Sequence, residues 1–206
     1  MKRELFFGWL KINILSFAIA SVLCLFFVLL FPDAMLGFVR SWGAYGNRIS
    51  PTVLEPTSKA GLFVNILTRN SLMTFLHFIA SLLLLSPLIA IMAGIFYSLG
   101  LVSAIDHFIN KEIWYPLWHS PVLISIEVSF ILLNISFASA LGSEIFGATP
   151  KRKELVDFFK SNWNRLFPKQ RRDWKVVFTE SKREIRLFIA VVLALLLFGA
   201  FFEVIV

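Results

Sequence analysis

Long apolar runs alternate with short polar segments along most of the chain, and this pattern predicts transmembrane helices. About 20 consecutive apolar residues are enough to cross the hydrocarbon core of a bilayer. Several runs reach or approach that length, and the charged residues cluster between them. The predicted fold class is therefore an all-α membrane protein. It is a single membrane domain with a bundle of about five transmembrane helices, at residues 12–31, 71–86, 88–105, 120–142 and 187–206.

The apolar run at residues 70–105 is predicted to hold two of these spans. A single helix of that length would extend for about 54 Å at 1.5 Å per residue, whereas the hydrocarbon core is about 30 Å thick. Ser86 and Pro87 interrupt the run, and proline is disfavoured in a helix interior. A tight turn is therefore expected at these two residues. Residues 33–69 are expected to be mixed, with a short interfacial helix at Phe38, Val39 and Trp42 and an ordered loop over the rest that returns the chain to the membrane.

Residues 146–186 form a basic segment between the last two predicted spans, with twelve Lys and Arg against five acidic residues. Thr149-Pro150 is a helix start signal, and apolar residues then recur at helical spacing up to Pro168. This pattern predicts a basic amphipathic interfacial helix over residues 150–167. Five of its cations are expected to face anionic lipid headgroups: Lys151, Arg152, Lys153, Lys160 and Arg165.

Composition and charge support a membrane location and indicate a topology. The chain is 58% hydrophobic and 16% charged, whereas soluble domains are about 25% charged. The net charge of +7 could suit nucleic acid, but the position of the basic segment between two spans indicates membrane lipid as the partner. Because Lys and Arg are enriched in cytoplasmic loops, the N-terminus and residues 146–186 are both expected in the cytoplasm, with the C-terminus outside the cell membrane.

A few polar side chains lie inside the predicted spans, where they are costly and usually face other helices. They are His77, Glu127, Asn134 and Glu203. With the predicted boundaries and topology, His77, Glu127 and Glu203 would each lie within about 10 Å of the outer surface. One interpretation is a polar site open to the outside. The other is that His77 and Glu127 pair for helix packing while Glu203 reaches water.

Small residues recur four positions apart in three places, a spacing that lets helices approach closely in lipid. These predicted packing positions are Gly94 and Ser98, Gly100 and Ala104, and Ala138 and Gly142. They indicate tight helix contacts and do not specify a function.

The sequence contains no motif that predicts catalysis or a cofactor. There is no phosphate-binding G-x-x-x-x-G-K-[ST], no zinc-binding H-E-x-x-H and no nucleophile motif G-x-S-x-G. The single cysteine, Cys24, lies in an apolar run and is expected to be a buried small side chain. The chain is therefore predicted not to be an enzyme, with no metal, no cofactor and no nucleic-acid partner.

Over residues 60–206 the chain resembles the stage II sporulation protein M family of integral membrane proteins. The resemblance rests on an asparagine-bearing segment before the central hairpin and on small or acidic residues in three spans: Asn65, Asn70, Gly100, Ala104, Glu127, Ala138, Gly142 and Glu203. Three features depart from the family pattern: Leu123 stands in place of a histidine, Ser86-Pro87 stands where glycine is commoner in the hairpin, and Arg69 stands in place of a second asparagine. Sporulation members of the family act as membrane scaffolds for wall-remodelling enzymes, so the resemblance implies a scaffold.

Three functions are compatible with the sequence. The first is a non-enzymatic scaffold or assembly subunit, whose partners would be other membrane proteins or further copies of the chain. The second is a permease or transport subunit that works with a separate ATPase, which His77, Glu127 and Asn134 motivate. The third is an intramembrane hydrolase, which is the weakest because two potential ligands are fewer than the three of a catalytic zinc site.

Overall fold

The computed structural model describes residues 2–34, 37, 58–111, 115–165 and 167–205, with side chains described except at 103–104, 106–119 and 205. All regular secondary structure in this part of the chain is helical. Seven helices follow in order: α1 (Arg3–Leu30), α2 (Lys59–Leu82), α3 (Ser86–Lys111), α4 (Tyr115–Phe146), α5 (Arg152–Asn162), α6 (Trp174–Glu180) and α7 (Lys182–Ile205).

Four of these helices, α1, α2, α4 and α7, are long and apolar enough to cross a membrane. The apolar part of α3 is the shorter stretch Ser86–Val102. Large apolar side chains such as Leu29, Phe75 and Leu187 are more than half exposed on the outside of the bundle. A soluble bundle would bury such residues, so this surface is suited to contact with lipid tails. The predicted all-α membrane fold is confirmed.

Pairs of contacts fix the direction of each long helix relative to α4. Trp9 contacts Ser143 and Asn13 contacts Ser136, so α1 and α4 are antiparallel. Thr74 of α2 contacts Asn134 of α4, and Ser81 contacts Ser139, so α2 is parallel to α4. Contacts of the same kind show that α3 and α7 are antiparallel to α4. Successive long helices thus alternate in direction along the chain.

The central helix of the bundle is α4. Each of the three buried apolar clusters includes residues of α4 or the turn after it, and the helix packs against α1, α2, α3 and α7. On its α7 side, the Phe137 and Phe188 rings stack with centroids 4.1 Å apart. The other spans are therefore arranged around α4.

The N-terminus of α1 and the basic segment lie at the same end of the bundle, which we call the basic end. The backbone N–H of Lys2 donates to Glu144 Oε1 at 2.9 Å, and Gly8 lies against the ring of Pro150. The opposite end, where Glu127 and Glu203 lie, is called the far end. The sequence predicted a common side for the two basic regions, and the fold places them together.

The second predicted span begins earlier than expected. Residues 59–69, predicted as loop, are the first three turns of α2, and the Ser58 hydroxyl caps them by accepting from Gly61 N. The expectation missed them because Asn65, Thr68 and Arg69 make this segment polar. Of the remainder of the predicted stretch, residues 33, 34 and 37 are helical, and residues 35–36 and 38–57, which include Phe38, Val39 and Trp42, lie outside the described residues.

The turn between α2 and α3 also lies earlier than predicted. The chain reverses at Leu83–Leu85, where Leu84 adopts a left-handed conformation with φ 65°. Ser86 and Pro87 instead form the first turn of α3, where a proline has no hydrogen bond to lose. The break at residues 83–85 thus ends α2 at Leu82.

The basic segment holds two helices. The predicted amphipathic helix is α5, which ends at Asn162, before Pro168. The short helix α6 was not predicted, and α7 begins at Lys182, five residues before the predicted span.

Candidate functional site

Four polar residues from four helices come together at the far end. The Tyr97 side chain of α3 lies close enough to the Glu127 carboxyl group of α4 for its hydroxyl to interact with that group. Glu203 of α7 and Arg69 of α2 lie close enough to act on Glu127 electrostatically. Glu127 and Glu203, placed in one outer site by the sequence, are therefore neighbours. Tyr97 and Arg69 were missed, although a tyrosine in an apolar span is itself a signal of a polar neighbour.

The predicted pair of His77 and Glu127 does not form. The Asn134 amide donates to the Thr74 carbonyl, so Thr74 of α2 lies level with Asn134. Asn134 is seven residues further along α4 than Glu127. His77 is three residues further toward the basic end, so it lies roughly 15 Å from the level of Glu127 at 1.5 Å per residue. The error follows from the early start of α2, which leaves His77 in the half of its span nearer the basic end instead of at the far end. Its Nδ1 atom is buried without a hydrogen-bond partner among the described residues.

Asn134 belongs to a line of hydrogen bonds that joins α4 to its neighbours. The Asn134 amide donates to the carbonyl of Thr74 at 2.8 Å. Further toward the basic end, Asn13 donates to Ser136 at 2.9 Å, and the Trp9 indole donates to Ser143 at 2.7 Å. We call these groups, with Ser139, the polar seam. Its serines, spaced three and four apart in an apolar span, were a readable signal of a shared helix face.

Ser139 is the point of the polar seam at which three helices meet. Its hydroxyl donates to the Ser81 carbonyl, and its oxygen lies 2.8 Å from the Ser86 hydroxyl. Because a hydroxyl has one proton and the carbonyl can only accept, Ser86 donates to Ser139. The contact holds both sides of the α2–α3 turn against α4.

The small-residue positions divide into close and open ones. A Cβ on Gly94 would lie 2.6 Å from the Phe17 carbonyl oxygen of α1, and one on Gly142 would collide with the Leu82 carbonyl oxygen of α2. Ser98 and Ala138 are buried. Gly100, however, is exposed and has no neighbouring atom within 4 Å among the described residues, so its predicted packing contact is absent there. The side chain of Ala104 lies outside the described residues.

At the basic end, the five cations predicted to face lipid are all exposed. Lys151 is also 3.7 Å from Glu154. The helix turns Leu155 and Phe158 toward the bundle, and its adjacent face exposes apolar residues, with Trp163 at 85%. Lys160 borders that face. The arrangement has the mixture of apolar and basic side chains that suits a membrane interface.

The segment after α5 is held against the end of α4. The backbone N–H groups of Arg171 and Arg172 both donate to the Ile145 carbonyl, at 2.9 and 3.1 Å. The Arg172 guanidinium is 2.8 Å from Glu180 and 3.9 Å from Glu144. The hydrogen bond and charge of Glu180, with the charge of Glu144, raise the pKa of Arg172, so it stays cationic at physiological pH. This connection fixes α5 and α6 relative to the bundle.

A cleft of about 690 Å³ opens between the end of α4, α5 and the following segment. Its base is apolar, with Phe146, Ala148 and Phe158, while its rim is charged on both sides. The volume lies in the range of small-molecule sites, about 300–1,000 Å³. The rim residues are Glu154, Asp157, Ser161, Asn162, Arg165, Lys169 and Arg171.

Among the described residues, no group of three or more His, Cys, Asp or Glu side chains is arranged to hold a metal ion. Cys24 is a buried free thiol within α1. The polar groups described above thus fall into three places. They are the four far-end residues Arg69, Tyr97, Glu127 and Glu203, which we call the far-end cluster, the polar seam, and the cleft at the basic end.

Comparison with family models, with curated proteins and with solved structures gives no match for this chain. What the chain does must therefore be inferred from its own residues and their arrangement.

Proposed function

We propose that this protein is a non-enzymatic scaffold or assembly subunit of a membrane complex, as its resemblance to the stage II sporulation protein M family implies. The observation that carries the proposal is the polar seam. Asn134, Ser139 and Ser143 use their polar atoms to bind neighbouring helices, as expected of groups that fix helix positions in lipid. A rigid bundle of this kind suits a protein that holds others in place.

The fixed module at the basic end provides what a scaffold would present outside the bilayer. Because Ile145 binds the segment after α5 and Val177 of α6 is fully buried, α5 and α6 keep a set position. On the proposed topology this module faces the cytoplasm. The outer surface of α6, including Lys175 and Val176, is exposed and available to a protein partner.

Site-specific photocrosslinking in native membranes tests this proposal. A photoreactive amino acid at Val176 is expected to capture a recurring membrane or cytoplasmic protein, identified by mass spectrometry. The same group at Phe201, an exposed apolar residue of α7 near the far end, is the matched control and is expected to capture mainly lipid. If position 176 gives no protein adduct above that control, the scaffold proposal is wrong.

A transport subunit is the second candidate, because the far-end cluster places two carboxylates of different helices near each other inside the bundle. Carboxyl groups in membrane spans often mark ion or proton paths. This candidate predicts an ATPase among the partners captured at Val176 and a loss of transport in Glu127→Gln without loss of the complex. The scaffold proposal predicts that Glu127→Gln changes stability only.

A further inference from the structure

The cleft at the basic end contains cations without partners. Arg165, Lys169 and Arg171 line it, and none of the three forms an ion pair with an acidic residue in the described part of the chain. The neighbouring Lys151 and Arg172 are both paired. Three cations without an ion pair around one cavity leave their hydrogen-bond donors available to an anion such as phosphate.

Two of these cations are held in place by the fold. The Lys169 backbone N–H donates to the Asn162 side-chain oxygen at 3.2 Å, and the Arg171 N–H donates to the Ile145 carbonyl. The Arg171 side chain lies directly against Gly147, where φ is +72° and a Cβ would collide with it. The backbone at these two positions is thus ordered before any ligand arrives, which lowers part of the ordering cost of binding.

The acidic residues of the rim leave the cleft with a positive balance. Glu154 is occupied by the Thr149 hydroxyl and by Lys151, so Asp157 is the one lining carboxylate without a partner in the described residues. Phe146, the last residue of α4, lies in the base. A cavity at the end of a membrane span lies near the level of lipid headgroups.

We propose that this cleft binds the phosphate group of an anionic ligand, with Arg165, Lys169 and Arg171 as its ligands and the apolar base beneath it. A phospholipid headgroup and a soluble phosphate compound both offer this chemistry. The site shares Arg165 with the cations predicted to face lipid, and it adds Lys169 and Arg171 from the segment after α5, which line the same cavity. It is independent of the scaffold proposal, since loss of phosphate binding would leave the crosslinks at Val176 unchanged.

The test uses the full-length protein in an uncharged detergent, titrated with phosphatidylglycerol and followed by native mass spectrometry. Arg171→Gln and Lys169→Gln are each expected to weaken binding about tenfold, which is about 1.4 kcal/mol. Arg183→Gln removes the same charge at an exposed position outside the cleft and is expected to change binding less than twofold. Inorganic phosphate, titrated by calorimetry, distinguishes a soluble ligand from a lipid. Displacement of lipid by millimolar phosphate would support the site and assign it to a soluble compound.

Gly147→Ala provides a second variant that keeps every charge. Its methyl group would push Arg171 from the rim, so binding is expected to fall about as far as in Arg171→Gln, at temperatures where both variants remain folded. If Arg171→Gln, Lys169→Gln and Gly147→Ala all bind as Arg183→Gln does, attraction is only to overall charge and the proposed site does not exist.

Discussion

The contact between the Tyr97 hydroxyl and the Glu127 carboxyl group predicts which far-end residues depend on each other. Tyr97→Phe removes only the hydroxyl, and Glu127→Gln removes the acidic group while it keeps the shape. A hydrogen bond to a charged group contributes about 1.5–3 kcal/mol in soluble proteins, but interhelical bonds in a membrane average about 0.6 and reach about 1.7. Because Glu127 is half-buried, we expect an intermediate coupling of about 1 kcal/mol.

The opposite result is expected for His77 and Glu127. They lie roughly 15 Å apart along the bundle axis, and substitutions at that separation usually add within about 0.5 kcal/mol. The free energy of unfolding in detergent, measured for each single variant and for both double variants, gives the two coupling energies. Additive losses for Tyr97 and Glu127, with a coupling above 1 kcal/mol for His77→Ala and Glu127→Gln, would refute the placement of α2.

Three further results are expected. Gly142→Ala should lower the free energy of unfolding by about 1–3 kcal/mol through a clash with the adjacent turn, whereas Gly100→Ala, in open space, should be neutral or slightly stabilising; equal effects in thermal unfolding would contradict this. A peptide of residues 150–167 should bind anionic vesicles and dissociate at high salt, since each cation contributes about 1 kcal/mol, and equal binding to neutral vesicles would rule out a role for charge. Gln170→Cys should react with an impermeant thiol reagent only after permeabilisation and Asn110→Cys in intact cells; the reverse would invert the proposed topology.

The sequence predicted the number and order of the long helices better than their ends. A long apolar run can be recognised from consecutive residues alone, so the spans around Cys24, Asn134 and Leu195 could be found directly. The start of α2 could not, because its first three turns carry Asn65 and Arg69, whose polarity resembles a loop.

The candidate site shows the same limit. The polar residues inside the spans were visible in the sequence, but their partners depend on the relative depth of two helices. A shift of three turns in α2 is enough to move His77 from Glu127 to the neighbourhood of the polar seam. The turn that ends α2 was also hard to place, because the left-handed conformation of Leu84 has no glycine or asparagine to indicate it. The cleft was likewise hidden, because it depends on how the segment after α5 folds back onto Ile145.

The central position of α4 has a consequence for how the protein is made. During synthesis α1, α2 and α3 enter the membrane before α4 exists, and until then Asn13, Ser81 and Ser86 lack the partners that α4 provides. α1 and α3 can already pack against each other, because Gly94 lies against Phe17, whereas α2 packs mainly on α4 and α7. Insertion of α4 is thus the event that fixes α2 in the bundle. A ribosome-bound chain that stops at the end of α3 should therefore hold α1 and α3 together and leave α2 open to membrane chaperones and proteases until the fourth span is released.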